Sequence, residues 1–283
     1  MIDTIKQRLL HYSWDLAYGE FKEDVIFKGV DKHNLNIVEN PYKNKWFADP
    51  FIYKDSSEQL ELFVEEFDYS IGKGRIGHLK ISKSSKIIES LSIILETDTH
   101  LSFPAIYHVG DEVYVHPENS ASGKSTMYRY DAASDMLVDP VVLFEEPVTD
   151  AIIVKEDDHY LLYATRVPTP NGKELLIYKS DSFLGPYTLH DSRQLENAYA
   201  RMAGAFIKVA DYERLRPAQD CEGGDYGQAV HFMDGDKVVS SLMPLKPKYD
   251  GIHTFNTLGE TFIVDLKRYD FPMVYRLKNL LKK

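Results

Sequence analysis

Apolar and aromatic residues occur in short runs that alternate with polar positions, and Gly, Asp, Asn and Ser bound each run. Clear cases are LELFVEEFDY (60–69), DEVYVHPE (111–118), HYLLYAT (159–165), ELLIYKS (174–180) and ETFIVDL (260–266). A period of two, rich in Val, Ile, Tyr and Phe and broken by turn residues, predicts β-strands joined by tight turns. Helical periodicity is confined to the ends, in IDTIKQRLL (2–10) and MVYRLKNLLKK (273–283).

The strands recur as a unit: a short apolar segment, an acidic or Gly turn, then a second aromatic strand. Copies begin at Ala48 (ADPFIYKDSSEQLELFVEE), Ser102 (SFPAIYHVGDEVYVHPEN), Thr149 (TDAIIVKEDDHYLLYAT), Ala203 (AGAFIKVADYERLRPAQD) and Ile252 (IHTFNTLGETFIVD). Aligning Pro50, Pro104, Ala151, Ala205 and Thr254 gives spacings of 54, 47, 54 and 49. That is close to the ~40–50 residues of a four-stranded propeller blade. The repeat predicts an all-β fold, a five-bladed β-propeller with short terminal helices. Residues 1–283 form one domain, with blades starting near 48, 102, 149, 203 and 252. An N-terminal strand is expected to complete the last blade. A β-sandwich would supply hairpins but not the regular return of the same unit.

Composition narrows the function. The chain of 283 residues has 33 Lys and Arg against 44 Asp and Glu, a net charge of −11. A basic face for phosphate is absent from that balance, which argues against nucleic acid as the main partner. One cysteine, Cys221, excludes an internal disulfide and a multi-thiolate metal site. Its acidic neighbours Asp220 and Glu222 raise a thiol pKa, which argues against a nucleophile. No run reaches the ~20 apolar residues of a membrane span. Charges interrupt MIDTIKQRLLHYSW before it forms a signal-peptide core. The expected location is cytoplasmic.

In a propeller the innermost strand of every blade lines the central channel, so equivalent repeat positions converge on one axis. The leading position reads Asp49, Phe103, Asp150, Gly204 and His253. The ends of the second strands carry Glu65 and Glu66, Glu118, Arg166, and Arg216 with Asp220. Adjacent strand residues face opposite ways, so at most one of Glu65 and Glu66 faces the channel, and Glu66 is the preferred one. Facing carboxylates are the equipment for glycosidic-bond cleavage, one protonating the leaving oxygen and the other activating water. Arg166, Arg201 and Arg216 would supply bidentate recognition of phosphate or carboxylate, or else pair with these acids structurally. Trp46, Tyr53, Phe67 and Tyr69 either stack on sugar faces or pack.

Other motifs read as structure. Gly72, Gly74 and Gly77 spell GxGxxG, but HLKISKS after them alternates like a strand, so a hairpin replaces the dinucleotide reading. Asp234 and Asp236 form a DxD inside a MDGDK turn. His116 and Glu118 share a strand face without forming a recognisable ligand set, so no metal and no cofactor is expected. The basic stretch 273–283 packs as a terminal helix or, alternatively, docks on a membrane surface.

WFADPF (46–51), FVEEFDY with GKGRIG (63–77), LSFPAIY and PENSAS (101–122), TDAIIV (149–154), SDSFLGPY (180–187), RPAQDC with YGQAV (216–230) and GIHTFN (251–256) together carry a resemblance. Over residues 40–260 the chain resembles the N-terminal domain family named after glucosamine inositolphosphorylceramide transferase. It also resembles the five-bladed propellers of glycoside hydrolase family 43. The resemblance implies a stand-alone propeller in surface-polysaccharide or glycoconjugate metabolism. It implies Asp49 as the water-activating base and Asp150 as the group that orients or tunes the acid. The family's general acid is a Glu on the inner strand of blade four, where ARMAGAFIK (200–208) has none. The acid then comes from Glu66, Glu118 or Asp220, or the chemistry is not simple hydrolysis.

The expected function is that of a carbohydrate-active enzyme with inverting acid and base carboxylates, acting on a carbohydrate that is either neutral or phosphorylated or acidic. The candidates are Asp49, Asp150, Glu66, Glu118 and Asp220 for catalysis, and Trp46, Arg166, Arg201, Arg216 and His253 for substrate. Two alternatives stay open. One is a glycosyltransferase or phosphorylase that holds phosphate or a sugar nucleotide on the arginines. The other is a non-catalytic glycan-binding propeller.

Overall fold

The computed structural model describes residues 11–30, 33–166, 172–209, 211–224, 227–271 and 273. The expected helix at 2–10 lies outside the described residues, as does all but Met273 of the one at 273–283. In chain order the strands begin with β1 (Tyr12–Glu20) and β2 (Asn36–Ile37), separated by the six-residue helix α1 (Glu23–Lys28). Blade one is β3 (Lys45–Asp55), β4 (Gln59–Asp68), β5 (Lys73–Ser82) and β6 (Ile88–Leu95). Blade two is β7 (Ser102–Val109), β8 (Glu112–Glu118), β9 (Ser125–Asp131) and β10 (Met136–Phe144). Blade three is β11 (Val148–Lys155), β12 (Tyr160–Arg166), β13 (Glu174–Ser180) and β14 (Thr188–Gln194). Blade four is β15 (Ile207–Val209), β16 (Tyr212–Gln219), β17 (Val230–Asp234) and β18 (Lys237–Leu242).

Blade five is composite: β19 (Gly251–Leu258) and β20 (Thr261–Tyr269) pair with β1, and β1 pairs with β2. The β1–β20 register runs from Tyr12 opposite Tyr269 to Glu20 opposite Thr261. This antiparallel seam joins the start of the described chain to its end and closes the five-bladed propeller. Each blade keeps its inner strand as an edge, and the ring of blades protects these edges by facing them to the shared axis. Gly72 turns between β4 and β5 with φ 67°, and Gly235 turns between β17 and β18 with φ 56°. The GxGxxG and DxD motifs are therefore hairpin features.

Apolar residues fill the wedges between blades. Leu16, Tyr18 and Ile263 of blade five pack on Leu60, Leu62 and Leu79 of blade one. Tyr53, Phe63 and Ile76 pack on Val115 and Tyr130 of blade two. A central cluster of Phe51, Phe103, Ala105, Ile152 and Met202 draws on blades one to four and plugs the axis. Burial of each such large side chain is worth about 2 kcal/mol.

The inner strands share one irregularity that builds the site. The ladder slips between Ala48 and Phe51, Ser102 and Ala105, Thr149 and Ile152, and Ile252 and Phe255. At these bulges Asp49, Phe103 and Asp150 adopt φ of 50°, 43° and 51°. Gly204 holds the equivalent place in blade four with φ 150°. A left-handed non-glycine residue costs on the order of 1–2 kcal/mol, so the surrounding bonds must hold it there. A bulge also leaves backbone N–H groups without ladder partners. Side chains from neighbouring blades take them up. Phe103 N–H donates to Asp49 (3.1 Å), Asp150 N–H to Glu118 (3.3 Å), Asp49 N–H to Asp265 (2.9 Å) and Ala205 N–H to Asn256 (3.0 Å). The blades are thus laced around the axis by acidic and amide side chains.

Candidate functional site

The first group lies at the seam of blades five and one. His253 sits between two carboxylates, with Nε2 3.1 Å from Asp49 Oδ1 and Nδ1 2.8 Å from Asp265 Oδ2. Asp265 Oδ1 also accepts the N–H groups of His253 (3.1 Å) and Thr254 (3.0 Å). Trp14 of β1 stacks on the imidazole, ring centres 3.9 Å apart. Burial works against the charged imidazole, but Asp265 and Asp49 outweigh it and raise the His253 pKa to about 10. The same ion pair offsets the burial of Asp265 and lowers its pKa.

The second group bridges blades one and two. Glu65, at the end of β4, is buried, which lifts its pKa to about 6. His100 opposes that rise, and the Asp49 charge adds to it. His100 Nε2 lies 3.1 Å from Glu65 Oε1, and its Nδ1 accepts the N–H of Gly74 at 2.9 Å. That backbone donor leaves the ring proton on Nε2, directed at Glu65. His100 is 44% exposed and so carries the group to solvent.

The third group joins blades two, three and four. Glu118 ends β8 and accepts bonds from the Thr149 hydroxyl and from Ser120 Oγ (3.1 Å). Burial, followed by the negative charge of Asp150, raises its pKa to about 7, while Arg201 pulls the other way. Asp150 Oδ2 accepts from Arg201 Nε (2.5 Å) and Gln219 Nε2 (3.0 Å). Glu118 and Asp49 both act on the pKa of His100, so the three groups adjoin.

Of the residues expected here, Asp49, Asp150, Glu118, Arg201 and His253 fall in these groups. Others do not. Glu66 is turned to the opposite face of β4, held by Lys45 (2.5 Å) and Arg75 (2.9 Å), so Glu65 is the inward carboxylate of the pair. Strand alternation allows only one, and the two cations across β3 and β5 settle which. Arg166 pairs within its own region with Glu174 (3.1 Å) and Glu146 (3.3 Å) rather than at the axis. Arg216 is buried, donates to the carbonyls of Tyr199 (2.9 Å) and Ala200 (3.3 Å), and burial lowers its pKa to about 10. Asp220, one residue past Gln219, turns away to His231 (3.3 Å). Trp46 stacks face to face on Phe67, centres 4.8 Å apart, and is 9% exposed.

Sequence reasoning missed Asp265, His100, Thr149, Gln219 and Trp14. Asp265 had a signal, an acid in the middle of the apolar run TFIVDL. His100 lies in a turn that no periodicity marks. Among the described residues, Asp49, His253 and Asp265 bring ligand-type atoms within 4.8 Å of one another. With His253 protonated, both ring N–H groups are directed at the two carboxylates, so the imidazole has no lone pair to offer a metal ion. His116, expected to share a face with Glu118, instead bonds Ser125 (2.7 Å), and burial lowers its pKa to about 4. Burial also pushes the Cys221 thiol up to about 12, which keeps it unreactive.

Comparison with solved structures shows the same fold. The catalytic domain of the GH62 α-L-arabinofuranosidase of Coprinopsis cinerea superposes with a TM-score of 0.56 at 9% identity, covering 93% of this chain and 98% of that one. The exo-β-1,3-galactanase of Clostridium thermocellum gives 0.54 at 11% identity, covering 86% of this chain and 61% of that one. Among curated proteins, glucosamine inositolphosphorylceramide transferase 1 of Oryza sativa subsp. japonica is 29% identical over 208 residues. The match takes in 71% of this chain but 28% of that protein, so the chain spans little more than a quarter of its relative. Residues 34–242 match a family model over most of the propeller, from β2 to the last strand of blade four. The chain belongs to the family described as glucosamine inositolphosphorylceramide transferase 1, N-terminal.

Proposed function

We propose that the axial groups act on a glycosidic bond, with Glu118 as proton donor and Glu65, set by His100, as the base. The observation that carries this reading is the geometry of two inward carboxyls, Glu118 bonded by Thr149 and Ser120 and Glu65 bonded by the half-exposed His100, each with its pKa raised by burial. A carboxyl whose pKa is raised towards neutrality can keep a proton to donate, and an ionised one beside His100 can accept one, the division of labour that acid and base catalysis needs. Glu118 protonates the leaving oxygen as the bond to the anomeric carbon breaks. Glu65 takes the proton of an incoming water or sugar hydroxyl, and exchange with solvent resets both groups. Asp49 serves as a positioning residue, because its oxygens are committed to the Phe103 N–H and to His253. Asp150 positions Glu118 and Arg201. The carbohydrate enzymes that share the fold, and a family named after a glycoconjugate transferase, support the substrate class.

Glu118→Gln tests it, since this change keeps the shape and removes the transferable proton. We expect at least ~10²-fold less turnover of a responsive glycoside with unchanged melting. Full activity in that variant would falsify the assignment. Transfer through phosphate is less favoured, because Arg201, Arg166 and Arg216 are engaged by Asp150, by Glu174 and Glu146, and by carbonyls. A second reading, a non-catalytic glycan-binding propeller, is favoured by the structural bonds that Asp49 and Glu118 make to bulge N–H groups. It predicts sugar binding without turnover in the wild-type protein.

A further inference from the structure

We propose that β14, the outer strand of blade three, is a self-association edge. A second copy of this chain adds its own β14 there, antiparallel, about a two-fold axis through Ser192. The proposal is independent of the catalytic reading, since no axial group takes part.

Every blade ends in an outer strand, and such a strand presents main-chain donors and acceptors to its surroundings. Four of the five are blunted. β2 has only two residues. β6 is bridged at its start, where Ile88 N–H donates to the Glu39 carbonyl (3.2 Å). β10 carries Pro140 within a register slip, beside Asp139 at φ 51°. β18 is covered by α1, whose Val25 and Ile26 pack with Val239 and Leu242. β14 has none of these devices. Its sequence TLHDSRQ contains no proline, and among the described residues no strand pairs with its outer side. All its residues are exposed except the half-buried Asp191. Its one slip lies at His190, so the ladder from Asp191 to Gln194 is regular.

Leu195 N–H donates to the Lys173 carbonyl (2.8 Å), which fixes the direction of the main-chain groups. Alternation along an antiparallel ladder then turns those of Arg193 and Asp191 inward to β13 and those of Ser192 and Gln194 outward. A partner centred on Ser192 exchanges two main-chain bonds between Ser192 and the partner's Ser192. In that register Asp191 stands opposite the partner's Arg193, and Arg193 opposite the partner's Asp191. These are non-hydrogen-bonded positions, where Cα atoms lie about 4.5 Å apart and side chains are closest.

Charge selects this register over its neighbours. A two-fold axis through Asp191 would set acid against acid, and one through Arg193 would set cation against cation. Only the axis through Ser192 sets opposite charges against each other on both sides. Arg193 meets its own Asp191 through Nε alone (2.7 Å), so its terminal nitrogens are available to the partner's Asp191. One strand edge buries little area, so the dimer is weak, with a dissociation constant on the order of 10–100 µM.

Sedimentation equilibrium of the full chain, at loading concentrations below and above that range, tests the proposal. We expect the average mass to rise from that of one chain towards that of two. Ser192→Pro removes the outward donor, and an outward N–H is where a strand tolerates proline, so melting should stay unchanged. It should weaken association at least ~10-fold. Arg193→Asp sets acids against acids and should weaken association about tenfold, while Asp191→Arg combined with Arg193→Asp should restore it. The charge variants decide the matter even if Ser192→Pro lowers the melting temperature. A chain that stays monomeric throughout, a folded Ser192→Pro protein that associates as the wild type does, or a double variant as weak as Arg193→Asp alone would each overturn the proposal.

Discussion

Asp49 and His253 face each other across the seam where the propeller closes, Oδ1 to Nε2 at 3.1 Å. One belongs to the first inner strand and the other to the last. The same Asp49 accepts the Phe103 N–H of blade two, and Asp265 of blade five accepts the Asp49 N–H. The pair thus ties three blades to the charge at the axis. It fixes the first repeat position against its own left-handed backbone strain.

Asp265→Asn should be severely destabilising. The variant keeps its volume but leaves a buried imidazolium with one carboxylate instead of two. Breaking a buried ion pair in this way costs about 3 kcal/mol. Urea unfolding measures it, and a loss below about 1 kcal/mol would show that the seam does not depend on this charge.

The seam should weaken in alkali. The folded state holds the His253 proton more tightly than the unfolded chain, with the pKa raised from 6.5 to about 10. The resulting stabilisation is fully present below about pH 6.5 and is lost as pH rises through about 10. Melting temperature should fall across that window in the wild type and fall less in His253→Asn. Equal slopes in the two proteins would remove His253 as the cause.

Turnover should show a narrow bell in pH, with limbs near 6 from Glu65 and near 7 from Glu118. Glu118→Gln should abolish the alkaline limb in whatever activity remains. His100→Ala should move the acid limb upward, because the His100 bond lowers the Glu65 pKa. An acid limb that stays in place in His100→Ala would show that Glu65 is not the base.

Gly204→Ala should destabilise the fold by about 2 kcal/mol or more. A Cβ there would stand 2.1 Å from the Phe255 carbonyl oxygen and 2.7 Å from Asn256 Oδ1, on a backbone with φ 150°. Blade four therefore holds the repeat position with a residue that has no side chain, and the close approach of blade five explains why. Differential scanning calorimetry reads the effect, and an unchanged melting temperature would mean that the neighbouring strand yields freely.

The repeat made the blades legible. Five copies of one strand–turn–strand unit identify inner strands, and the structure bulges four of them at the aligned position, at Asp49, Phe103, Asp150 and His253. Period and alternation are local properties of a chain, so residues alone determine which elements form and which positions lead them. Partnership is not local. Glu65 rather than Glu66 faces inward because Lys45 and Arg75, on the strands flanking β4, hold the other acid. Arg166 left the axis for Glu174, and Arg201 reached it through Asp150. His100 and Asp265 joined the site from a turn and from a second strand, where the repeat assigns no leading position. Which charges meet depends on how blades distant in sequence are rotated against one another, and only packing fixes that rotation.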